Sequence, residues 1–598
     1  MTFTSKNNPV STNGRFPHRR QFAVACFILL AAVFVQTPLR ADEAEKNDEA
    51  RREIWFGTLE LKGIRTLRFA LHLEKQGEQW SGILESLDEG EQSYDLANVE
   101  FSETGMKFDV PKPSGSYEGK FSDKENRVVA GKWKQSGKEF ELSFSHVKEI
   151  PQRKAKAVWK GTLDAFIQKL DVAFIELESG EVVFESISQK SGGLLAKDES
   201  TEEEVVYKVP AVNGTFKGKY AEDKNKIEGK WTQGFVSLTL VLKRVELKDL
   251  KTKKISRPQS PKAPYAYESR DITFDSKNKD VKLAGTVTLP KGKVYRAVVL
   301  ISGSGPQDRN ESLLDHKPFL VIADHFARHG IATLRFDDRG IGKSKGDFAT
   351  ATSFDFADDA EGALLRLRSM PELKDVPVGL CGHSEGGLVA PIVAARNEKV
   401  SFVVMLAGIG VNGEAILYNQ LRLILKAEGS PEEEIEQAAK FQRILLKAVI
   451  KHGGLSAEEI EDKIHEELKM VLTKEELAKP ELPAEVKSGV SKVATPWFRT
   501  FLTLEPKIAL GKTRCPVLAL NGEKDTQVDP ILNFPAIRAA LDKAGNDQYE
   551  IVEYPGLNHL FQSCKTGAVS EYQQIEETFN LKPLEKMTSW ILELKLED

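Results

Sequence analysis

Cysteine is scarce in this chain, with four in 598 residues. Cys26 lies in an N-terminal apolar run, and Cys381, Cys515 and Cys564 are far apart in sequence, two of them in or beside strand-like apolar runs. That spacing does not make a disulfide framework and reads as buried thiols, with room for one pair at most. Long apolar stretches are missing too. Phe22 to Val35 is a run of fourteen residues, short of the ~20 that a bilayer-spanning helix needs. Positive charge is not in excess. The formal net charge of -5 would repel the phosphate backbone of a nucleic acid. A Gly-rich loop at Ser302-Gly303-Ser304-Gly305-Pro306 is followed by neither Lys-Ser/Thr nor a G-x-G-x-x-G pattern, which argues against a phosphate-binding loop.

What is present fits soluble globular protein: 40% of residues are hydrophobic and 29% charged. At roughly 150 residues per domain, the length predicts three or four units. The first of these segments is an address. Arg15, His18, Arg19 and Arg20 precede the apolar run, and Gln36 to Ala41 and an acidic stretch follow it. Residues 1–41 read as a secretory signal peptide cleaved after Ala41, which predicts a periplasmic or secreted protein with no stable membrane insertion after cleavage.

Two segments, 51–150 and 155–246, repeat one another. The first runs from Trp55-Phe56-Gly57-Thr58-Leu59 through Tyr117-Glu118-Gly119-Lys120-Phe121 to Gly131-Lys132-Trp133. The second runs from Trp159-Lys160-Gly161-Thr162-Leu163 through Phe216-Lys217-Gly218-Lys219-Tyr220 to Gly229-Lys230-Trp231. Alternation in Leu67 to Leu73 and Phe140 to Phe144 has the period of half-buried strands. Each unit is expected to be a small antiparallel β domain. Their tryptophans suit core packing better than an exposed ligand platform. Residues 247–269, rich in Lys and Pro, read as a linker.

From 270 to 598 continuous apolar runs alternate with helical patterns. Ala297–Ile301, Ile331–Phe336, Val378–Cys381, Phe402–Leu406 and Pro516–Leu520 read as strands buried on both faces, hence an open and mainly parallel sheet covered by helices. In such sheets chemistry sits at the carboxyl ends of strands. After Val378–Cys381 comes Gly382-His383-Ser384-Glu385-Gly386-Gly387, followed by an apolar helical stretch. This is a G-x-S-x-G elbow, which presents Ser384 as a nucleophile and the Glu385 N–H as an oxyanion donor. The strand ending at Ile301 leads into the Gly-rich loop, where Ser304 is the preferred second oxyanion donor and Gly303 and Gly305 are alternatives.

A serine nucleophile needs a base, and the base a carboxylate. Well beyond Ser384 lie His452 and His465, in charged helical sequence, and His559, in a loop after the strand-like Tyr549 to Glu553. His559 is therefore the expected base. Asp525, in the exit loop of Pro516–Leu520, is the expected acid, with Asp529 the nearest substitute. His383 is expected to pack within the elbow. Asp337-Asp338-Arg339 reads as an ion-paired turn, and no metal or cofactor is called for. Charged helical sequence at about 411–505 predicts an inserted helical cap, with Trp497, Phe498, Phe501 and Leu502 either lining a pocket or packing its core.

With the elbow, S-G-S-G-P-Q-D, D-D-R-G-x-G-x-S, N-G-E-K-D and G-L-N-H in this order, residues 271–598 resemble the α/β-hydrolases, most closely bacterial carboxylesterases of the serine-aminopeptidase-like branch. Some of these carry an extra N-terminal β region. The resemblance implies Ser384, Asp525 and His559 as nucleophile, acid and base, and a small-molecule acyl ester as substrate. A peptidase using the same groups on short peptides is the alternative, and a third reading has the β repeats binding envelope glycans or lipids.

Overall fold

The computed structural model describes residues 51–596 except 470–494 and the short stretches 62–63, 78, 90–91, 112–114, 126, 136, 165–168, 189–190, 234–235, 251–254, 278, 280 and 453. The proposed signal peptide, residues 1–41, lies outside the described residues.

The N-terminal region is all β, and its pairings are antiparallel. Strand Arg51–Leu61 pairs with Arg65–Gln76 on one side and with Lys138–His146 on the other, so the strand set of 51–146 returns on itself. Ala155–Asp164 likewise pairs with Lys169–Leu177 and Val236–Arg244. Small details recur between the sets. Trp133 Nε1 donates to Gln135 Oε1 at 3.1 Å and Trp231 Nε1 to Gln233 Oε1 at 3.2 Å. Gly115 lies against the Trp133 ring as Gly214 lies against that of Trp231, too close for any Cβ. Trp55, Trp133, Trp159 and Trp231 are all buried and do not form an exposed aromatic platform. The sets meet where Asp88, fully buried, takes charge-assisted bonds from Arg68 and Arg153, and at a β-bridge between Arg65 and Leu194.

The stretch expected to be a linker is more ordered than its composition suggests. The main sheet already begins at Tyr267, inside the 247–269 stretch. Ahead of it, Arg257 donates to the carbonyls of Leu314, Gln573 and Ile575. Gln259 donates to Phe579 O and accepts from the N–H groups of Thr578 and Phe579.

The main sheet has eight strands. Counted in chain order, they are Tyr267–Asp275, Lys282–Pro290, Arg296–Ile301, Ile331–Phe336, Val378–His383, Val403–Leu406, Val517–Gly522 and Tyr549–Tyr554. They lie side by side in the order 1-2-4-3-5-6-7-8. The second strand runs antiparallel to its neighbours and the last six run parallel to one another. Strands Ile331–Phe336, Val378–His383, Val403–Leu406 and Val517–Gly522 are buried along their whole length, as sheets with helices on both faces require. Between the sixth and seventh strands the chain forms the helices Gly413–Ala427, Glu432–Lys451, Ala457–Lys469 and Pro496–Thr503. Ile416, Phe441, Ile464 and Phe501 of these helices share one apolar cluster with sheet residues such as Leu380 and Met405.

Candidate active site

Ser384 stands between the strand Val378–His383 and the helix Gly386–Ala394 with φ 54. A non-glycine residue held there costs about 1–3 kcal/mol, and such strain persists only where surrounding structure enforces it. The surroundings are tight. A Cβ at Gly382 would lie 1.9 Å from Gly386 O, and one at Gly386 would lie 2.1 Å from Ile301 O. Only glycine allows the strand, the helix and the neighbouring strand to approach so closely, which accounts for both glycines of the motif.

His559 follows the last strand in a loop, and its Nδ1 lies 2.8 Å from Asp525 Oδ2. Asp525 comes from the loop after Val517–Gly522, and its other oxygen accepts the N–H groups of Gln527 and Val528, both at 2.8 Å. Both side chains are buried. With Nδ1 facing a carboxylate, the imidazole keeps Nε2 for the substrate side. Ser384 and His559 line one cavity of about 110 Å³, together with Ser304. Asp529 does something else: its side chain caps the helix Pro530–Ala544 at Ile531 N–H and accepts from Asn419 Nδ2.

The loop after Ile301 is held from several sides. Gly303 N–H donates to Glu311 Oε1 at 2.7 Å, so that N–H is occupied. Among the described residues the N–H groups of Ser304, Gly305 and Glu385 donate to no backbone carbonyl, so Gly305 stays an alternative to Ser304. The Asp337-Asp338-Arg339 turn serves this loop. Asp338 accepts from the Ser302 hydroxyl and Gln307 N–H, both at 2.9 Å, and Asp337 takes a two-pronged bond from the Arg309 guanidinium. Arg339 pairs with Asp359. Burial pushes the Asp338 carboxyl well above its ordinary range, against the pull of its two donors. No group of three or more metal-ligating side chains occurs among the described residues.

The roles of two carboxyl groups, those of Glu311 and Glu385, carry no signal in the sequence. Glu311 accepts from Gly303 N–H and sits 2.8 Å from His383 Nδ1, while His383 Nε2 lies 3.0 Å from the carbonyl of His559. His383 thus ties the elbow to the oxyanion loop and to the histidine loop. Burial alone would lower its pKa, but the charge of Glu311 and the hydrogen bonds to Glu311 and the His559 carbonyl together outweigh that and raise it. Glu385 is buried, and its Oε1 accepts from Ser353 Oγ at 2.6 Å and from Trp497 Nε1 at 2.7 Å. Trp497 lines the cavity and stacks on Phe501, with ring centroids 5.1 Å apart.

Residues 317–563 match the model of the family described as Serine aminopeptidase, S33. This part of the chain is similar to the α/β-hydrolases of that branch. Over 184 residues the chain is 34% identical to esterase EstD of Thermotoga maritima, covering 30% of this chain and 42% of EstD. The chain therefore spans less than half of that relative's length. Solved structures with similarity include the Pyrococcus furiosus esterase Pf2001, at 13% identity and TM-score 0.31 over 54% of this chain and 92% of the esterase. Another is Est1E of Butyrivibrio proteoclasticus with ferulic acid bound, at 15% identity and TM-score 0.30 over 54% of this chain and 98% of Est1E.

Proposed function

We propose that this hydrolase cleaves carboxylic esters with small to medium acyl groups, with Ser384 as nucleophile, His559 as base and Asp525 as the acid that orients it. The observation that carries the reading is the 2.8 Å contact of His559 Nδ1 with Asp525 Oδ2, behind a cavity wall that His559 shares with Ser384. In this reading Ser384 Oγ attacks the acyl carbon and its proton passes to His559 Nε2. The Glu385 and Ser304 N–H groups hold the oxyanion, His559 returns the proton to the departing alcohol, and water clears the acyl-enzyme. Asp525 stabilises the imidazolium without being protonated itself.

The cavity favours esters over the peptidase alternative. A peptide amino terminus calls for a carboxylate of its own. Among the described lining residues the one carboxylate is Glu311, already engaged by Gly303 N–H and facing His383. Ile416, Leu417 and Phe501 make much of the remaining wall. EstD is named an esterase, which points the same way.

The rest of the proposal concerns the setting. The inserted helices act as a cap over the strand ends, since Trp497 and Phe498 bring its return segment to the cavity. The two N-terminal strand sets are copies of one small antiparallel unit, supported by the matching Trp–Gln and Trp–Gly pairs. Export rests on the leader composition and is checked by N-terminal sequencing of the protein recovered from its native cell envelope.

The deciding experiment is hydrolysis of p-nitrophenyl esters from acetate to palmitate, with amino-acid p-nitroanilides alongside, by the parent and Ser384→Ala. Turnover of short esters that disappears in the variant is expected. Anilide turnover with little ester preference favours the peptidase, and no turnover of either rejects the hydrolytic reading.

A further inference from the structure

Glu385 carries one of the two oxyanion donors of the proposed mechanism on its backbone, while its carboxyl group is used elsewhere. That carboxyl is buried and joins three parts of the fold. Ser353, at the start of the helix Ser353–Arg368, donates to Oε1 at 2.6 Å. Trp497, on the helix that ends the inserted segment, donates to the same oxygen at 2.7 Å. The Ser304 hydroxyl also stabilises the carboxylate form, and Ser304 is the residue that carries the second donor.

A buried carboxylate without a cationic partner is costly, and burial pushes this one above its ordinary pKa. Its charged form depends on those hydrogen bonds, so the bonds fix the side chain, and the side chain fixes the Cα from which the peptide N–H is aimed. Oxyanion donors tolerate little misplacement, because a removed donor costs about 10²–10³ in rate. The indole meanwhile forms part of the cavity wall. An acyl group resting on Trp497 is therefore one hydrogen bond away from Glu385.

We propose that the Trp497 indole N–H, by holding the Glu385 carboxyl, aligns the Ser304 and Glu385 oxyanion donors, so that Trp497 is a positioning residue for acyl transfer as well as a wall of the pocket. The proposal rests on the triad reading above and assigns the inserted segment a part in setting the rate in addition to enclosing substrate.

Trp497→Phe in the full chain keeps an aromatic ring on Phe501 and removes only the donor. Its kcat on p-nitrophenyl acetate is expected to fall about tenfold, with KM within twofold and the same factor across acyl lengths. A role as wall alone would move KM and chain-length preference instead. Glu385→Ala removes the acceptor and is expected to fall at least as far as Trp497→Phe. Fluorophosphonate labelling provides the control. Ser384 Oγ bonds to phosphorus as fluoride leaves and the serine proton passes to His559, with the phosphonyl oxygen in the oxyanion site. Stoichiometric labelling of the parent at Ser384 establishes the triad reading, and slower labelling of folded Trp497→Phe supports the latch. A kcat loss below threefold, or one carried by KM, overturns the latch. Failure of the parent to label at Ser384 removes the reading beneath it, and the proposal with it.

Discussion

Asp525 and Asp529 both follow the strand Val517–Gly522, and sequence alone offers either as the acid. The structure gives them different neighbours: Asp525 lies against His559, while Asp529 caps the helix behind. Asp525→Asn should lower kcat by about 10³–10⁴, because an amide opposite Nδ1 favours the wrong tautomer. Asp529→Asn should leave kcat within twofold and cost at most about 1 kcal/mol as a weakened cap. Steady-state kinetics and urea melts on the two variants check this, and a large kcat loss in Asp529→Asn would reverse the assignment. The proposed triad of Ser384, Asp525 and His559 is legible because chain order and strand ends restrict the choice. The contacts that Glu311 and Trp497 make are not, although Trp497 is already a candidate for the pocket wall. They reach His383 and Glu385 across 72 and 112 residues, and neither carries a local signature. Their importance comes from tertiary contact with the elbow.

At the scale of elements, strands buried on both faces were readable as apolar runs, and the observed bounds of Ile331–Phe336 coincide with the expected ones. The edge strand was not readable. Tyr267–Asp275 fully buries only Tyr267 and Phe274, so its sequence merges with the Pro-rich stretch before it. The loops packed against that stretch also contain a pH-sensitive contact. His316 is buried, with Nδ1 3.0 Å from Thr578 Oγ1 and Nε2 3.0 Å from Tyr572 O. Burial, reinforced by Arg257, pushes its pKa down to about 4. The folded state holds it neutral while the unfolded chain takes a proton near pH 6.5. Stability from this group is therefore complete above about 6.5 and drains as pH falls toward 4, at about 1.4 kcal/mol per pH unit. Urea midpoints between pH 7.5 and 4.5 should decline, and His316→Asn should flatten that decline. An unchanged slope in the variant would show that His316 is not the group responsible.

For the whole molecule, the question is how much of the chain the hydrolase needs. The N-terminal strand sets close on themselves, and the chain between them and the sheet is fastened at Arg257 and Gln259. Those two side chains satisfy the carbonyls of Leu314, Gln573, Ile575 and Phe579 and the N–H groups of Thr578 and Phe579. Their acceptors flank the loop that carries His559, through the Phe561–Phe579 stack at 5.1 Å. A chain of 255–598 should keep these contacts and hydrolyse short esters with kcat/KM within about twofold of the full protein. A chain of 263–598 loses both fasteners. With a net value of about 0.5–1.5 kcal/mol per hydrogen bond, and some of the exposed groups recovering water, it should unfold at lower urea by roughly 2–4 kcal/mol and lose activity in step. Parallel urea titrations and ester kinetics on the two chains make the comparison. If both match the full protein, the stretch before Tyr267 is a tether and nothing more. If the longer chain is itself inactive, the strand sets contribute to the catalytic unit in a way their self-closure does not suggest.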